Sequence, residues 1–328
     1  MRARARALRV LAALSLLSSA GCGAWPGAGG SPGSDLRIMV PNTPGGGYDT
    51  TARTVARVLG ETGSASDVQV FNLPGAGGTV GLQRLVDERG NGRLALQMGL
   101  GVVGSSHMAH ARVTVERTTP IARLLGEPGT VVVREDSPYR TVDDLVAAWR
   151  KDPAALTVGG GSSRGGPDHL LAMELAEAVG IGPREVDYRA YDGGGGDLLP
   201  ALLDGEVDFA TSGVGEYLDQ IDAGQLRVLA VTGDRPAATL PGVPTLRARG
   251  IDLVFSNWRG IVAPPGISAS DRERWTDALT GLHASAQWKA ALARRGWTDA
   301  FATGDAFEDY LEQQDRAVAR LIARLGLD

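Results

Sequence analysis

At 328 residues the chain exceeds the roughly 100–200 residues usual for one domain, which makes two lobes the first expectation. Charged residues at 22% and hydrophobic residues at 43% describe a globular chain and exclude a disordered or membrane-embedded one. A net charge of -5 excludes a basic field for nucleic acid or anionic lipid, so an anionic ligand has to be met by local donors.

Residues 1–22 read as an export signal: Arg2, Arg4, Arg6 and Arg9 form a positive start, and Leu8 to Leu17 form an apolar stretch too short to span a bilayer. Cys22 is the only cysteine, which excludes an intramolecular disulfide. It follows Ser19-Ala20-Gly21, small residues of the kind a lipoprotein peptidase requires, although leucine is commoner at the Ser19 position. Cys22 is therefore expected to carry a lipid; a plain secretory signal with an incidental cysteine is the alternative. Residues 23–34 have the composition of a flexible tether.

Beyond the tether, strand-like runs at 36–40, 68–71, 94–98, 131–133, 156–158, 186–188 and 226–231 alternate with amphipathic helices, the pattern of a mostly parallel α/β sheet. Ala52, Val55, Ala56 and Leu59 fall at helical spacing, as do Val142, Leu145, Val146 and Trp149. The stretches 271–293 and 306–324 are also expected to be helical.

The 46 glycines cluster at strand-to-helix junctions: PGGGYD at 44–49, PGAGGT at 74–79, GGGSSRGGPDH at 159–169 and DGGGGD at 192–197. In a parallel sheet such junctions lie at the carboxyl edge of the strands, where ligands bind. Each offers free backbone N–H groups and a positive helix end, so together they make anion cradles without a lysine. Each loop taken singly also reads as a tight turn.

Two enzyme readings compete. Gly161-Ser162-Ser163-Arg164-Gly165 is a literal G-x-S-x-G, the pattern of a serine hydrolase, but Pro167 and several glycines separate it from the next helix and only His283 follows at triad-like distance. Gly99-Leu100-Gly101-Val102-Val103-Gly104 matches G-x-G-x-x-G, but at the third strand and without the acidic residue a dinucleotide site needs. His107 and His110 lack further ligands to complete a metal set. No cofactor or metal is implied.

In order and spacing, PGGGYDTTAR (44–53), NLPGAGGTVG (72–81), GPDHLLA (166–172), YDGGGGDLLPALLDGEVD (191–208), SGVGEYLDQIDAGQLRVLAVT (212–232) and NWRGIVAPPGIS (257–268) resemble the solute-binding receptors of tripartite tricarboxylate transporters, which include the Bug-type receptors. The resemblance covers about residues 35–328. It implies a two-lobed α/β fold of the type II periplasmic-binding-protein kind, with a hinge and an interlobe cleft. The ligand's carboxylate would be held by the loops, partly through ordered water. On this pattern Gly46, Gly47, Tyr48 and Asp49 form the first loop and Gly75, Ala76, Gly77, Gly78 and Thr79 the second. Ser162, Ser163, Asp168 and His169 form the opposite jaw. Asp49 and Asp168 also suit helix capping, which is the preferred role for both. Arg164 departs from the family's small residues and adds a charge.

The lobes are expected at 35–133 with 256–328, and at 134–255, with hinge crossings near 133 and 256. The family resemblance also implies a monomeric receptor that hands a small carboxylate to a two-component integral membrane permease, with no nucleic acid partner. Citrate or another tricarboxylate is the leading ligand and a dicarboxylate the runner-up. A third carboxylate would need a cation, and Arg259, Arg164 and Arg189 are the candidates, Arg259 first.

Overall fold

A computed structural model describes residues 36–191 and 194–327; Cys22, the signal and tether segments, and Asp192 of the fourth loop lie outside the described residues. In chain order the first elements are β1 (Arg37–Val40), α1 (Gly47–Thr62), β2 (Gln69–Asn72), α2 (Thr79–Asp87), β3 (Leu94–Gly99) and α3 (Leu100–Met108). A 16-residue strand, β4 (Thr119–Arg134), then runs on into α4 (Val142–Lys151), β5 (Thr157–Gly160), α5 (Pro167–Ala178), β6 (Asp187–Ala190), α6 (Gly195–Asp204), β7 (Phe209–Gly213), α7 (Leu218–Asp222) and β8 (Leu226–Val231). The chain returns through β9 (Ser256–Ala263), α8 (Ala269–Ala284), α9 (Ala286–Arg295), β10 (Thr298–Thr303) and α10 (Gly304–Leu325).

β4 is the spine of both lobes. Up to Pro128 it pairs with β9, and over Ala122–Gly126 also with β10; from Gly129 it pairs with β7, and from Thr130 with β8. One lobe completes its sheet with β1, β2 and β3 mutually parallel and β3 antiparallel to β9; the other adds β5 parallel to both β6 and β7. The second crossing is fastened to the first by Thr232, whose Oγ1 accepts from Gly129 N (2.7 Å) and donates to Phe255 O (2.8 Å).

Local sequence explains the elements. Buried parallel strands need apolar runs, and Ile38, Met39, Val40, Leu94, Ala95, Leu96 and Met98 are all buried, with Gln97 among them donating to Gly260 O (3.1 Å). In α1 the stripe includes Ala52, Val55, Val58 and Leu59, and in α4 it is Val142, Leu145, Val146 and Trp149. Fully burying each such side chain contributes roughly 1.5–3 kcal/mol. Thr141 opens α4 with a capping box to Asp144, and Gly63 closes α1 in the left-handed region.

The helix expected over 271–293 is two helices. Ser285 leaves helical geometry, its Oγ donating to Leu282 O (2.6 Å) and accepting from Trp288 N (3.1 Å), so one side chain ends α8 and caps α9. Among the described residues no helix is long and apolar enough to cross a membrane.

Candidate functional site

The carboxyl ends of the parallel strands in both lobes face the crossing, and the junctions that follow them line one cleft. Its walls enclose about 580 Å³, part of it open to solvent. From the first lobe come Asn42, Thr43, Gly46, Gly47 and Tyr48, then Gly77, then Gly101 and Ser105, and from β9 Asn257 and Arg259. The second lobe supplies Gly161, Ser162, Ser163, Asp168, Gly194 and Glu216. The two lobes meet at its rim. A methyl on Gly194 would lie 3.3 Å from Gly46 Cα, and one on Gly104 would collide with the Gly165 carbonyl.

In the first loop, Gly46 is the extended residue before α1, and Asp49 in the first turn reaches back to fasten the loop. Its Oδ2 accepts from Gly45 N (3.0 Å) and Arg53 Nε (2.8 Å), and its Oδ1 from Asn72 Nδ2 (2.9 Å). Burial opposes the Asp49 charge, but bonds from Arg53, Gly45 and Asn72 outweigh it and hold the carboxyl below its ordinary value. Asp49 therefore ties the loop and is not on the cleft wall. Tyr48 is: its buried hydroxyl accepts from Gly101 N (3.0 Å), and burial pushes the phenol up to about 12.

The second loop runs through φ values of 150° at Gly75, 46° at Ala76, 63° at Gly77 and 98° at Gly78, which turns it sharply into α2. Of its residues only Gly77 reaches the cleft, and a Cβ there would strike the Ser105 side chain. Gly75, Ala76, Gly78 and Thr79 shape the turn, Thr79 by donating to Ala76 O (3.0 Å).

In the opposite jaw, Ser162 Oγ accepts from Asp168 N (3.1 Å) and caps the entry to α5. His169 lies behind the loop: it is fully buried, its Nδ1 accepts from Gly165 N (3.0 Å), and its ring sits edge-on to Tyr188. Burial, with Arg164 adding to it, lowers its pKa to about 4, so it is a neutral fastener. Arg164 is exposed and off the cleft wall, and Arg189 on β6 donates to Glu206 O (3.0 Å), also off that wall.

Asp168 faces the cleft with no cation at ion-pair distance. Burial first, then the Glu216 and Glu127 charges, push its carboxyl well above the usual range, against a bond from Gly161 N–H. Glu216, bonded by Ser212 Oγ (2.9 Å), is pushed up to about 7 by burial and by Glu127. Glu216 therefore retains its proton toward neutrality, and the Asp168 carboxyl is shifted in the same direction.

Arg259 reaches the cleft already matched. It forms a buried ion pair with Glu127, and its Nη1 donates to Gly47 O (3.0 Å) and Thr51 Oγ1 (2.9 Å). Glu127 in turn accepts from Trp297 Nε1 (3.0 Å) and Gly215 N (3.3 Å), so one pair joins α1, both β4–β9 crossing residues and the second lobe. Only the Arg259 Nε lacks a partner.

Sequence reasoning passed over Asn42, Thr43, Gly101, Ser105, Glu216 and Asn257. Glu216 and Asn257 stood inside quoted motifs, and Gly101 inside the G-x-G-x-x-G, which is a plain strand-to-helix junction whose N–H meets Tyr48. Asn42 Oδ1, Thr43 Oγ1 and Asn257 Oδ1 are buried without a hydrogen-bond partner. His283 bonds Asp299 (2.9 Å) and stacks on Phe301, and it does not line the cleft with Ser163. His107 pairs with Asp315, and no group of three or more potential metal ligands occurs among the described residues.

Two α/β lobes on a shared spine, with glycine junctions converging on a cleft, define a two-lobed solute-binding receptor of the periplasmic type. The model of the tripartite tricarboxylate transporter family receptor matches residues 51–327. An Agrobacterium vitis protein, the UPF0065 protein in the TAR-I ttuE-ttuC' intergenic region, is 31% identical over 251 residues, covering 76% of this chain and 71% of that one. Among solved structures, a TctC solute-binding protein from Polaromonas is similar at TM-score 0.65 and 26% identity, covering 88% of this chain and 98% of its own. R. palustris Rpa4515 with adipate is similar at TM-score 0.81 and 21% identity, covering 89% and 97%. The chain belongs to the tripartite tricarboxylate transporter receptor family. It is an extracytoplasmic solute-binding receptor and not an enzyme.

Proposed function

We propose that the cleft captures a small acid bearing one or two carboxylates and that the receptor delivers it to a two-component integral membrane permease. The observation that carries this reading is the convergence of glycine junctions from both lobes on a cleft with no free lysine or arginine. Backbone N–H groups there serve a carboxylate, each charge-assisted bond contributing roughly 1.5–3 kcal/mol. Adipate, held by Rpa4515 of the same fold, is an acid of this kind.

Citrate is the weaker candidate on charge grounds. Arg259 is neutralised by Glu127, Arg164 points its charge at solvent, and Asp168 and Glu216 bring acid to the walls. Three carboxylates would be desolvated without a free cation to meet the third.

Capture by closure needs a hinge, and the change of β4 partners between Pro128 and Gly129, tied to the return crossing by Thr232, supports one there. Lipidation of Cys22 would anchor a monomeric receptor at the outer face of the membrane, and Cys22→Ser would then release it from the membrane fraction. The ligand reading is tested by calorimetric titration with succinate, glutamate and citrate. The expected result is a dicarboxylate binding at least about tenfold tighter than citrate. Citrate as the tightest ligand would restore the tricarboxylate assignment.

A further inference from the structure

Glu127 lies on β4 immediately before Pro128, where the strand begins to change partners, and its buried carboxylate is bonded from both lobes. From the first lobe come the Arg259 guanidinium and Trp297 Nε1 (3.0 Å). From the second comes the backbone N–H of Gly215 (3.3 Å), in the turn that follows β7. Arg259 carries the pair onward, because the same guanidinium donates to Gly47 O (3.0 Å) and Thr51 Oγ1 (2.9 Å) at the start of α1.

Gly47, Gly213 and Gly215 enclose this pair, and none of them has a positive φ, so the backbone conformation does not require glycine there. Space does. A Cβ on Gly47 would collide with the Arg259 guanidinium. One on Gly213 would lie 2.6 Å from the Glu127 carboxyl carbon, and one on Gly215 would lie 2.7 Å from the carbonyl oxygen of Arg295 at the end of α9. The turn of the second lobe is thus seated on the first by bare backbone. Val214 N donates to Pro128 O (2.9 Å), which keeps the seat beside the partner change of β4, and Glu216, next in the turn, lines the cleft. So near the turning point, a shift of the width of a methyl group at the seat opens a larger gap at the rim, where Gly46 meets Gly194.

We propose that Glu127 is the positioning residue of capture: its carboxylate receives the Gly213–Gly215 turn when the lobes come together and, through Arg259, ties that seating to the first binding loop. The residue acts on the ligand through its neighbours and does not touch it. This rests on a hinge at the β4 partner change and on no particular ligand.

The test follows lobe contact without a ligand. In the purified protein carrying Cys22→Ser, which removes the only native cysteine, Gly46→Cys and Gly194→Cys place one thiol on each lobe at the rim. The rate at which an oxidant joins them reports how often the lobes meet. Adding Gly215→Ala should slow this trapping about tenfold with little change in unfolding midpoint, since only the seated arrangement meets the added Cβ. Glu127→Gln should slow it as well, and the two together should be no more than about twofold slower than Gly215→Ala alone, because a blocked seat leaves Glu127 nothing across the lobes to hold. Parental trapping in Gly215→Ala, or effects of the two substitutions that simply multiply, would overturn the proposal. Gly213→Ala, which presses on the Glu127 carboxyl from the second lobe, should act as Gly215→Ala does and decides the matter even if Glu127→Gln does not fold. Calorimetric titration with adipate, on the same variants without the rim cysteines, should show affinity falling in the same order. Trapping as expected with no adipate binding to the parent would reject the carboxylate reading and leave Glu127 in its role.

Discussion

Asp49 and Asp168 occupy matching places, each in the first turn of the helix that follows a glycine loop, one in each lobe. In the sequence both read as caps. In the structure their carboxyls go opposite ways. Asp49 gathers Gly45, Arg53 and Asn72 and its pKa falls, whereas Asp168 is buried at the cleft without a cation and its pKa rises. A first-turn acid is thus a fastener where a base and an amide bond it directly, and a wall of the cleft where burial and neighbouring acids outweigh the one nearby cation, Arg259.

The largest effect that sharpens this contrast is on stability. Asp49→Ala should cost about 2–4 kcal/mol in denaturant unfolding, because three donors lose their acceptor, although half-exposed Arg53 contributes little of it. Asp168→Asn should leave stability nearly unchanged below about pH 3.8, the ordinary carboxyl value, and should become the more stable protein as pH rises above it, since the parent must keep or bury a carboxyl that the unfolded chain ionises freely. Equal losses in both variants would break the comparison.

Gly77→Ala comes next: it forces a side chain into φ 63° and against Ser105, and should cost about 1–2 kcal/mol while narrowing the cleft enough to abolish carboxylate binding. Binding at parental affinity in that variant would show that the second loop is a turn and nothing more.

A smaller effect follows from the raised acids. Glu216 goes from an ordinary 4.5 to about 7, so it is protonated in the folded state where the unfolded chain has already ionised. Its favourable contribution is complete below about pH 4.5 and lost as pH rises through about 7. The cleft gains negative charge over the upper part of that window, so carboxylate affinity should fall about three- to tenfold from pH 6 to pH 8. Glu216→Gln should flatten the profile, and a profile that rises with pH would contradict the assignment.

The smallest effect is expected at Arg164: with its side chain exposed, Arg164→Ala should change carboxylate affinity by less than about twofold. A larger loss would return Arg164 to the cleft.

Periodicity and turn chemistry made β1, β3, α1, α4 and the glycine junctions legible, because there the local pattern and the buried face coincide. The first half of β4 was not, since Pro120, Gly126, Pro128 and Gly129 read as breakers. In the sheet Pro120 sits at a register shift, where a missing N–H is tolerated. β7, β9 and β10 were missed as strands for a related reason: FATSG, SNWRGIVA and TDAFAT mix small, polar and glycine residues, and their pairing is set by β4 and not by their own propensity. Of the cleft-lining residues, Gly46, Gly47, Tyr48, Gly77, Ser162, Ser163 and Asp168 were anticipated through their loops. Glu216 and Asn257 were not, because only the approach of the two lobes turns them toward one cavity, and nothing local marks Arg259 as already paired with Glu127.

A crystal structure of the protein grown with saturating adipate tests the central claim most directly. The account predicts the diacid lying between the lobes with a carboxylate against the Gly47, Gly77 and Ser162 junctions. An empty cleft, or adipate bound only on the outer surface, would contradict it.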